Sequence, residues 1–137
     1  MPDTIQVVDY FYTQSPDKPG EACRALAALQ AAGINLLAFS GFPSGRKSQL
    51  DFVPVDSKAF VAAAKKAKLK LSRRKSGFLI QGDDRVGAVC GHLAKLAAAK
   101  VNVTAIDAVS AGIGLYYGAI LWVKPKDQKR AAKALGV

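Results

Sequence analysis

The sequence contains an internal repeat that constrains the fold more than any single motif. Shifting the chain by 67 positions places Gly20 on Gly87, and ten of the 23 positions from 17 to 39 are then identical without a gap. The identical pairs are Asp17/Asp84, Gly20/Gly87, Cys23/Cys90, Leu26/Leu93, Ala27/Ala94, Leu29/Leu96, Ala31/Ala98, Ala32/Ala99, Asn35/Asn102 and Ala38/Ala105. A repeat of this length favours a small folded unit over a solenoid module. We therefore interpret the chain as two copies of one unit.

Each copy is predicted to run strand, helix, strand, strand, helix, strand, which is the ferredoxin-like βαββαβ order. β-Branched and aromatic residues indicate the strands, and apolar residues at helical spacing indicate the helices. In the first copy the predicted strands cover residues 5–12, 34–40, 49–55 and 69–72, and the predicted helices cover residues 19–32 and 57–68. Gly33 is placed to end the first helix in a left-handed cap, and Asp56 or Ser57 is placed to cap the second.

The second copy repeats this order but stops before its last strand. Its predicted strands cover residues 77–81, 102–111 and 113–123, and its predicted helices cover residues 84–99 and 126–135. Either its sheet has an open edge or another segment covers that edge, and an open edge would favour a homodimer. The predicted fold class is α+β, with two ferredoxin-like units in tandem at residues 1–74 and 75–137, each an antiparallel sheet with helices on one face.

The composition allows a buried core, and it indicates no membrane-spanning helix. Hydrophobic residues make up 50% of it, but the longest apolar run, residues 112–123, is shorter than the about 20 residues of a spanning helix. The start of the sequence lacks the basic residues and the apolar run of a secretory signal, so we expect a cytoplasmic protein. Cys23 and Cys90 occupy equivalent repeat positions, and we expect two buried thiols rather than a disulfide.

The net charge of +10 raises the alternative of a nucleic-acid-binding module. The cations concentrate at the junction between the copies and near the C-terminus: Lys65, Lys66, Lys68, Lys70, Arg73, Arg74, Lys75, Lys124, Lys126, Lys129, Arg130 and Lys133. The same charges suit solvated helix faces, and charge alone supplies only non-specific affinity. RNA-recognition domains share the strand–helix order but stack bases on exposed aromatic side chains. Tyr10 and Tyr12 could serve on the first strand, whereas the third strand offers only Phe52, so nucleic acid is not the expected partner.

The sequence has no pattern typical of an enzyme. Its only histidine, His92, falls opposite Ala25 in the repeat register, and a catalytic histidine needs an oriented partner. There is no CxxC motif or His/Cys cluster for a metal. The GxG motif at residues 112–114 lies in a predicted hairpin rather than before a helix, so it indicates a turn and not a nucleotide loop. We expect no catalysis, no cofactor and no bound metal.

The repeated corner between the first strand and the first helix is the remaining candidate site. Residues 17–20 and 84–87 each bring an acidic side chain and a glycine to a helix N-terminus. The free N–H groups there suit a carboxylate, and glycine lets a ligand approach the backbone. The acidic side chain could receive an ammonium group, and Asn35 and Asn102 add amide groups near that end of the sheet. Together these groups describe a site for a free amino acid; the alternative is that the acidic residues only cap their helices.

At these residues the chain resembles an ACT domain, the small amino-acid-sensing module of many biosynthetic enzymes. The resemblance rests on the corner at residues 17–20, the helix face of Leu26 and Leu29, and the Ala-Gly-Ile-Asn turn at residues 32–35. It spans both copies and so covers nearly the whole chain. The second copy departs from the pattern, with Val86 in place of the proline and Lys100-Val101 in place of Gly-Ile.

The resemblance implies a non-catalytic regulatory protein built as a stand-alone tandem of ACT units. In that family ligands usually sit between two adjacent units, so the resemblance implies a small amino acid bound at a unit–unit interface. We also expect a homodimer, formed through sheet edges or helices. A regulatory subunit of a larger enzyme is an alternative role. The residues implied for the site are Asp17, Gly20, Asn35, Asp84, Gly87 and Asn102. Binding would favour one packing of the units over another, which is how such a ligand signals.

Overall fold

The structure, a computed structural model, describes residues 2–137 and has a mixed α+β fold. The strands in this range are β1 (Thr4–Pro16), β2 (Leu36–Ser44), β3 (Lys47–Pro54), β4 (Lys75–Asp83), β5 (Val103–Ser110) and β6 (Tyr116–Val123). The helices are α1 (Glu21–Ala31), α2 (Ser57–Lys66), α3 (Cys90–Ala98) and α4 (Gln128–Leu135), the last preceded by a 3-10 turn at Pro125–Asp127. The order strand, helix, strand, strand, helix occurs twice along the chain, as the repeat predicts.

The chain divides into two compact units. Residues 9–75 form one, which we call the N-terminal unit, and residues 2–8 with 76–137 form the other, which we call the C-terminal unit. The predicted division at residues 1–74 and 75–137 lies next to the observed junction, but it places residues 2–8 with the first copy. The difference arises because β1 serves both units. Its residues 4–8 belong with β4, whereas its residues 11–16 pair with β3.

The N-terminal unit packs α1 and α2 against one face of its strands. The strand order is β2-β3-β1, and both neighbouring pairs are antiparallel. Phe52 on the central β3 lies opposite Phe11 on β1 and Phe39 on β2, and its ring centroid is 5.3 Å from that of Phe60 on α2. Phe52 and Phe60 are fully buried. Burying each phenylalanine contributes roughly 1.5–3 kcal/mol, so these rings form the centre of the core.

The residues after α2, predicted as a closing strand at 69–72, lie beside β1 without forming a regular strand. Ser72 N donates to Tyr12 O at 2.7 Å, and Tyr12 N donates to Ser72 Oγ at 3.0 Å. Thr13 Oγ1 donates to Lys70 O at 2.8 Å. Because side-chain hydroxyls replace backbone groups in two of these bonds, the ladder is irregular although the segment still follows β1.

The C-terminal unit uses residues 4–8 of β1 beside β4. Its strand order is β1-β4-β6-β5, and the β4–β6 and β5–β6 pairs are antiparallel. Leu121 on β6 lies opposite Phe78 on β4, and both side chains are fully buried under α3 and α4. The edge of β4 that the sequence leaves without a strand is therefore covered by residues 4–8, so an open edge at β4 gives no reason for dimerisation.

Two predicted helix boundaries are confirmed. Gly33 follows α1 with φ of +72°, the left-handed conformation expected at the end of a helix. Asp56 caps α2, because its Oδ1 accepts a hydrogen bond from Ala59 N at 3.0 Å. In residues 2–137 no helix is both long and apolar enough to span a membrane, and α1, the longest of them, has 11 residues.

The prediction of two buried cysteines is wrong. Cys23 and Cys90 are free thiols, and both are exposed. The buried positions of α1 are Ala25 and Leu29. A residue two positions before Ala25 lies on the opposite side of a helix with 3.6 residues per turn. The shared cysteines of the repeat therefore contribute little to either core.

Candidate functional site

The glycine of each predicted corner has a left-handed backbone conformation. Gly20 has φ of +89° and Gly87 has φ of +74°, in the left-handed region that glycine reaches without a steric penalty. The chain turns at each glycine before its helix begins, at Glu21 for α1 and at Cys90 for α3. The two glycines that the repeat aligns therefore share a left-handed φ in the structure.

The two corner carboxylates contact serine hydroxyls of the neighbouring hairpins. Ser48 Oγ donates to Asp17 Oδ1 at 3.0 Å, and Ser110 Oγ donates to Asp84 Oδ2 at 2.8 Å. In the described chain the N-cap residues of α1 and α3 make no side-chain hydrogen bond. Each acidic residue therefore connects its corner to a hairpin. This role differs from the alternative in which the acidic residue only caps the helix.

A cavity of about 320 Å³ lies at the corner of the C-terminal unit. Asp84, Arg85 and Gly87 of the corner line it, together with residues 108–110 at the end of β5 and Tyr117 on β6. Two of the residues predicted for the site, Asp84 and Gly87, therefore share one cavity. Its lining includes one acidic and one basic residue, Asp84 and Arg85, and is otherwise largely apolar.

Arg85 is held at this cavity by Asp3. Arg85 Nη1 and Nη2 donate to the two carboxylate oxygens of Asp3 at 3.0 and 3.1 Å, and Nη1 also donates to Asp83 O at 2.8 Å. Tyr117 Oη donates to Asp3 Oδ2 at 2.6 Å, and His92 Nε2 lies 2.6 Å from the same oxygen. The Asp3 side chain is only 5% exposed, so these donors rather than water offset its charge.

Gly82 on β4 leaves the space that the Asp3 carboxylate occupies. A Cβ at residue 82 would overlap Asp3 Oδ1, so no other residue type fits here without displacing Asp3. Beside this contact, Thr4 Oγ1 donates to Gln81 O at 3.4 Å. The hydrogen bonds that join Asp3, Arg85 and Tyr117, which we call the Asp3 network, therefore depend on residues 3 and 4 lying close against β4.

The network changes the pKa of its members in the directions expected for a buried ion pair. Hydrogen bonds from Arg85 hold the pKa of Asp3 well below its usual range, against the opposing effect of burial. The same hydrogen bonds raise the pKa of the Arg85 guanidinium. Burial, and then the hydrogen bond to Asp3, raises the pKa of Tyr117 to about 12. Asp3 is therefore ionised and Tyr117 protonated at neutral pH.

Arg85 keeps hydrogen-bonding capacity that a ligand could use. A guanidinium has five N–H donors, and Asp3 and Asp83 O together occupy three of them. The side chain is 49% exposed. Asp3 thus orients Arg85 from the buried side, while two N–H groups remain for solvent or for an anion in the cavity.

Asn35 and Asn102 do not lie at these corners. Each follows the end of the helix whose beginning forms the corner, and an 11-residue helix such as α1 is about 17 Å long. Asn35 O accepts from Val55 N at 3.1 Å, beyond the end of β3, whereas Ser48 at the start of β3 contacts the corner. Within one unit, the prediction that the asparagine lies near the corner is therefore wrong.

The corner of the N-terminal unit is more open. Lys18 stands at the repeat position of Arg85, with a side chain that is 64% exposed and an Nζ atom 3.7 Å from Glu21 Oε1. Arg24 Nη2 contacts the same carboxylate at 2.8 Å, and this hydrogen bond lowers the pKa of Glu21. The two corners share a basic residue, but Arg85 is anchored by a buried acid whereas Lys18 contacts an acid on the first turn of α1.

The sequence predicts the corner but does not predict several residues that surround it. Arg85 could have been found, because the repeat register pairs it with Lys18 and conserves the positive charge between the copies. Ser110, Tyr117 and Asp3 have no identical partner in the register. They reach the site only through the pairing of β5, β6 and β1 with their neighbours, for which the sequence carries no local signal.

Comparison with solved structures defines the fold of the chain. No protein-family model matches the sequence, and no curated protein matches it either. A protein of Bacteroides thetaiotaomicron has a TM-score of 0.81 at 16% identity, over 96% of this chain and 88% of that chain. The ligand-free regulatory subunit of aspartate kinase from Thermus thermophilus has a TM-score of 0.66 at 16% identity, over 98% and 94% of the two chains. The fold is ACT-like.

A third structure extends this likeness over almost the whole chain. The regulatory subunit of aspartate kinase from Thermus flavus has a TM-score of 0.61 at 16% identity, over 99% of this chain and 95% of that chain. Identities this low establish a shared fold and not a shared ligand. The ACT-like fold agrees with the resemblance in the sequence, and the function has to be argued from the site itself.

Proposed function

We propose that this protein is a non-catalytic regulatory protein that binds a small free amino acid at the corner of its C-terminal unit. The observation that carries the proposal is the cavity of about 320 Å³ in which Asp84, Arg85 and Gly87 come together. Ligand pockets span roughly 300–1,000 Å³, so this volume suits a molecule as small as an amino acid.

The amino acid would find opposite charges on two sides of this cavity. The two remaining N–H groups of Arg85 suit an α-carboxylate, and the start of α3 adds the positive end of a helix dipole. Asp84 uses Oδ2 to accept from Ser110, which leaves Oδ1 for an α-ammonium group. Ala108 and Val109 line the cavity beside these groups, so an apolar side chain is the best match to the remaining wall.

We also propose that each unit is a ferredoxin-like βαββαβ unit of a stand-alone tandem. The fourth-strand position would be taken by the segment after α2 in the N-terminal unit and by residues 4–8 in the C-terminal unit. The hydrogen bonds of Ser72 with Tyr12 support the first assignment, and the place of β1 beside β4 supports the second. The near-complete overlap with aspartate kinase regulatory subunits supports both.

The other predicted residues enter this proposal through a homodimer. Asp17 and Gly20 form the matching corner of the N-terminal unit. Asn35 and Asn102 follow the far ends of α1 and α3, so they do not reach a corner of their own unit. Ligands of the ACT family sit between adjacent units, so an asparagine would approach a corner from a neighbouring copy. Asn35→Ala is then expected to weaken amino-acid binding without unfolding the protein, because Asn35 is exposed. An unchanged dissociation constant would remove Asn35 from the site.

The first experiment is a thermal-shift screen against the common amino acids, with nucleotides and a single-stranded oligonucleotide as controls. A ligand at about 100 times its Kd stabilises a one-site fold by about 2.7 kcal/mol, which corresponds to a rise of several degrees in Tm. A rise with one amino acid, or with a related group, supports the proposal. A flat response to all amino acids contradicts it, and a rise only with the oligonucleotide favours the nucleic-acid alternative.

Substitution of Arg85 tests the assigned cavity. A hydrogen bond to a charged group contributes about 1.5–3 kcal/mol, so Arg85→Gln should raise the Kd measured by calorimetry at least about tenfold. Lys18→Gln is the matched control, because Lys18 occupies the same repeat position in the other corner. The readout is affinity rather than Tm, since Arg85→Gln also removes a partner of Asp3. Loss of binding with Lys18→Gln alone would place the ligand in the N-terminal unit instead.

The structure gives less support to a nucleic-acid role. Phe52, the aromatic residue of β3, is fully buried under the helices and cannot stack a base. Tyr10 and Tyr12 are half-buried, and Lys75 Nζ lies over the Tyr12 ring, 5.3 Å from its centroid. Asp51 lies directly opposite Tyr12 on β3 and adds a negative charge beside the ring. Neither tyrosine is therefore a fully exposed platform on which a base could stack.

A partner enzyme is the second role that an observation favours. Two structures with this fold over at least 94% of their length are described as regulatory subunits of aspartate kinase. We propose on that basis that amino-acid binding here acts on a larger enzyme. Affinity purification from the native organism, with and without the amino acid that the thermal-shift screen identifies, tests this role. Failure to recover an enzyme under both conditions would contradict it.

A further inference from the structure

A cavity of about 140 Å³ in the N-terminal unit shares no residue with the proposed amino-acid site. It lies between the end of β1, the first turns of α1 and the segment that follows α2. Its polar lining includes Thr13, Ser15, Glu21, Arg24, Lys68 and Lys70. Nothing in the proposed amino-acid function requires this cavity.

The lining of this cavity is cationic. It carries Arg24, Lys68 and Lys70 against a single acidic residue, Glu21. The Glu21 carboxylate is already paired, with Arg24 Nη2 at 2.8 Å and with Lys18 Nζ at 3.7 Å. Among residues 2–137 the ammonium groups of Lys68 and Lys70 have no hydrogen-bond or ion-pair partner, so two positive charges remain available to an anion.

At the same cavity, a buried hydroxyl has no hydrogen-bond partner within residues 2–137. Ser15 Oγ is buried and makes no hydrogen bond to any described residue, whereas nearby Thr13 Oγ1 donates to Lys70 O at 2.8 Å. Buried hydroxyl groups in folded proteins are nearly always hydrogen-bonded, since an unsatisfied group loses its interaction with water without replacement. An anion oxygen in the cavity would accept from Ser15 and remove this deficit once the side chain turns its Oγ toward the cavity.

The backbone at Lys68 is strained in the same place. Lys68 has φ of +60°, a left-handed conformation that L-residues adopt at a steric cost and that glycine adopts freely. Lys100 has nearly the same φ, +59°, after α3, so the conformation does not by itself indicate a site. It does provide a useful variant, because glycine at residue 68 removes the charge and relieves the backbone together.

We propose that this cavity binds a small tetrahedral oxyanion, a phosphate or sulfate group. Lys68, Lys70 and Arg24 would supply the positive charge, and Ser15 would donate a hydrogen bond to an anion oxygen. The volume accommodates the anion itself but not a nucleotide. A bound anion would connect the end of β1 to the segment after α2, and would therefore stabilise the irregular edge of the N-terminal unit.

Thermal unfolding of the full chain in rising phosphate, at constant pH and constant ionic strength set with sodium chloride, tests the proposal. The Tm should rise and saturate with inorganic phosphate and should not respond to chloride alone. Glycerol phosphate and sulfate distinguish the source, because a phosphoryl group of a metabolite should match or exceed the free ion. Absence of a saturable rise with all three oxyanions would overturn the proposal.

Two variants keep this test independent of folding. Lys68→Gly should leave the Tm without phosphate unchanged or higher, because it relieves the strained backbone, yet it should abolish most of the phosphate-induced rise. Ser15→Ala should also leave the Tm without phosphate unchanged or higher, because it removes an unsatisfied hydroxyl. It should likewise reduce the phosphate-induced rise. The control is the double variant Lys65→Gln/Lys66→Gln, which removes two charges from the adjacent end of α2 but none from the cavity lining. An equal loss of the rise in the control would show general screening of the basic segment and would overturn the site.

Discussion

At the scale of single residues, Asp3 is the side chain on which the C-terminal corner most depends. Its carboxylate accepts hydrogen bonds from Arg85 and Tyr117 and contacts His92, at sequence separations of 82, 114 and 89 residues. Neither the composition nor the spacing of residues indicates such partners, because they meet only after β1 has paired beside β4. Arg85 could be predicted from the repeat, whereas Asp3, the acid that orients it, could not.

Asp3→Asn is expected to lower the free energy of unfolding by roughly 1–3 kcal/mol at neutral pH, because Arg85 and His92 lose a charged acceptor. The pKa of Asp3 is depressed by folding. Its contribution is therefore complete above the unfolded pKa of about 3.9, and it is lost as the pH falls below that value. Urea denaturation across this range should show the wild type and the variant converging at acidic pH. A constant difference between them would contradict a role for the ionised carboxylate.

At the scale of elements, a left-handed glycine sets the earliest residue at which the first helix of each unit can begin. The predicted helices start at residues 19 and 84, but the observed ones start at Glu21 and Cys90. A residue with positive φ cannot continue a right-handed helix, so the helix can begin only after Gly20 or Gly87. In the C-terminal unit the turn extends over residues 86–89 and shortens α3 further.

Gly87→Ala should destabilise the protein by roughly 1–2 kcal/mol, because alanine pays a steric cost at φ of +74°. Gly91→Ala is the matched control, since Gly91 lies inside α3 and should gain roughly 0.5–1 kcal/mol as alanine. A Cβ at either position meets no atom within 4 Å, so packing does not distinguish the two variants. Chemical denaturation should give effects of opposite sign. Equal effects would mean that the backbone conformation at Gly87 is not responsible.

At the scale of the whole molecule, β1 is the element that the two units share. Its residues 4–8 belong to the C-terminal unit, although residues 9–75 lie between them and the rest of that unit in the sequence. This arrangement explains how a second copy without a final strand can still cover the edge of β4. It also places the anchor of the proposed site, Asp3, at the far end of the chain from its partners.

Deletion of residues 2–8 should loosen the C-terminal unit more than the N-terminal unit, because it exposes the edge of β4 and removes Asp3. Hydrogen exchange measured by mass spectrometry should show a larger loss of protection in residues 76–137 than in residues 9–75. The exposed edge should also promote concentration-dependent association, measurable by sedimentation. Asp3→Asn is the control that removes the carboxylate but keeps the strand. Equal loss of protection in both units would contradict this division of the chain.

The sequence by itself determined the order of the elements, the internal repeat and the positions of the corner glycines. Hydrophobic periodicity, capping residues and left-handed glycines act over a few neighbouring residues, and the repeat allowed each copy to support the other. Asp84 and Gly87, which line one cavity, were predicted in this way.

Only the tertiary structure decided which unit residues 4–8 join, that Asp3 anchors Arg85, and that Asn35 and Asn102 lie away from the corners. It also decided that the cysteines face solvent. These features depend on contacts between segments that are distant in the sequence and on the length and rotation of each helix. Their free energy arises when the strands pair and the helices pack, so no local pattern in the sequence records them.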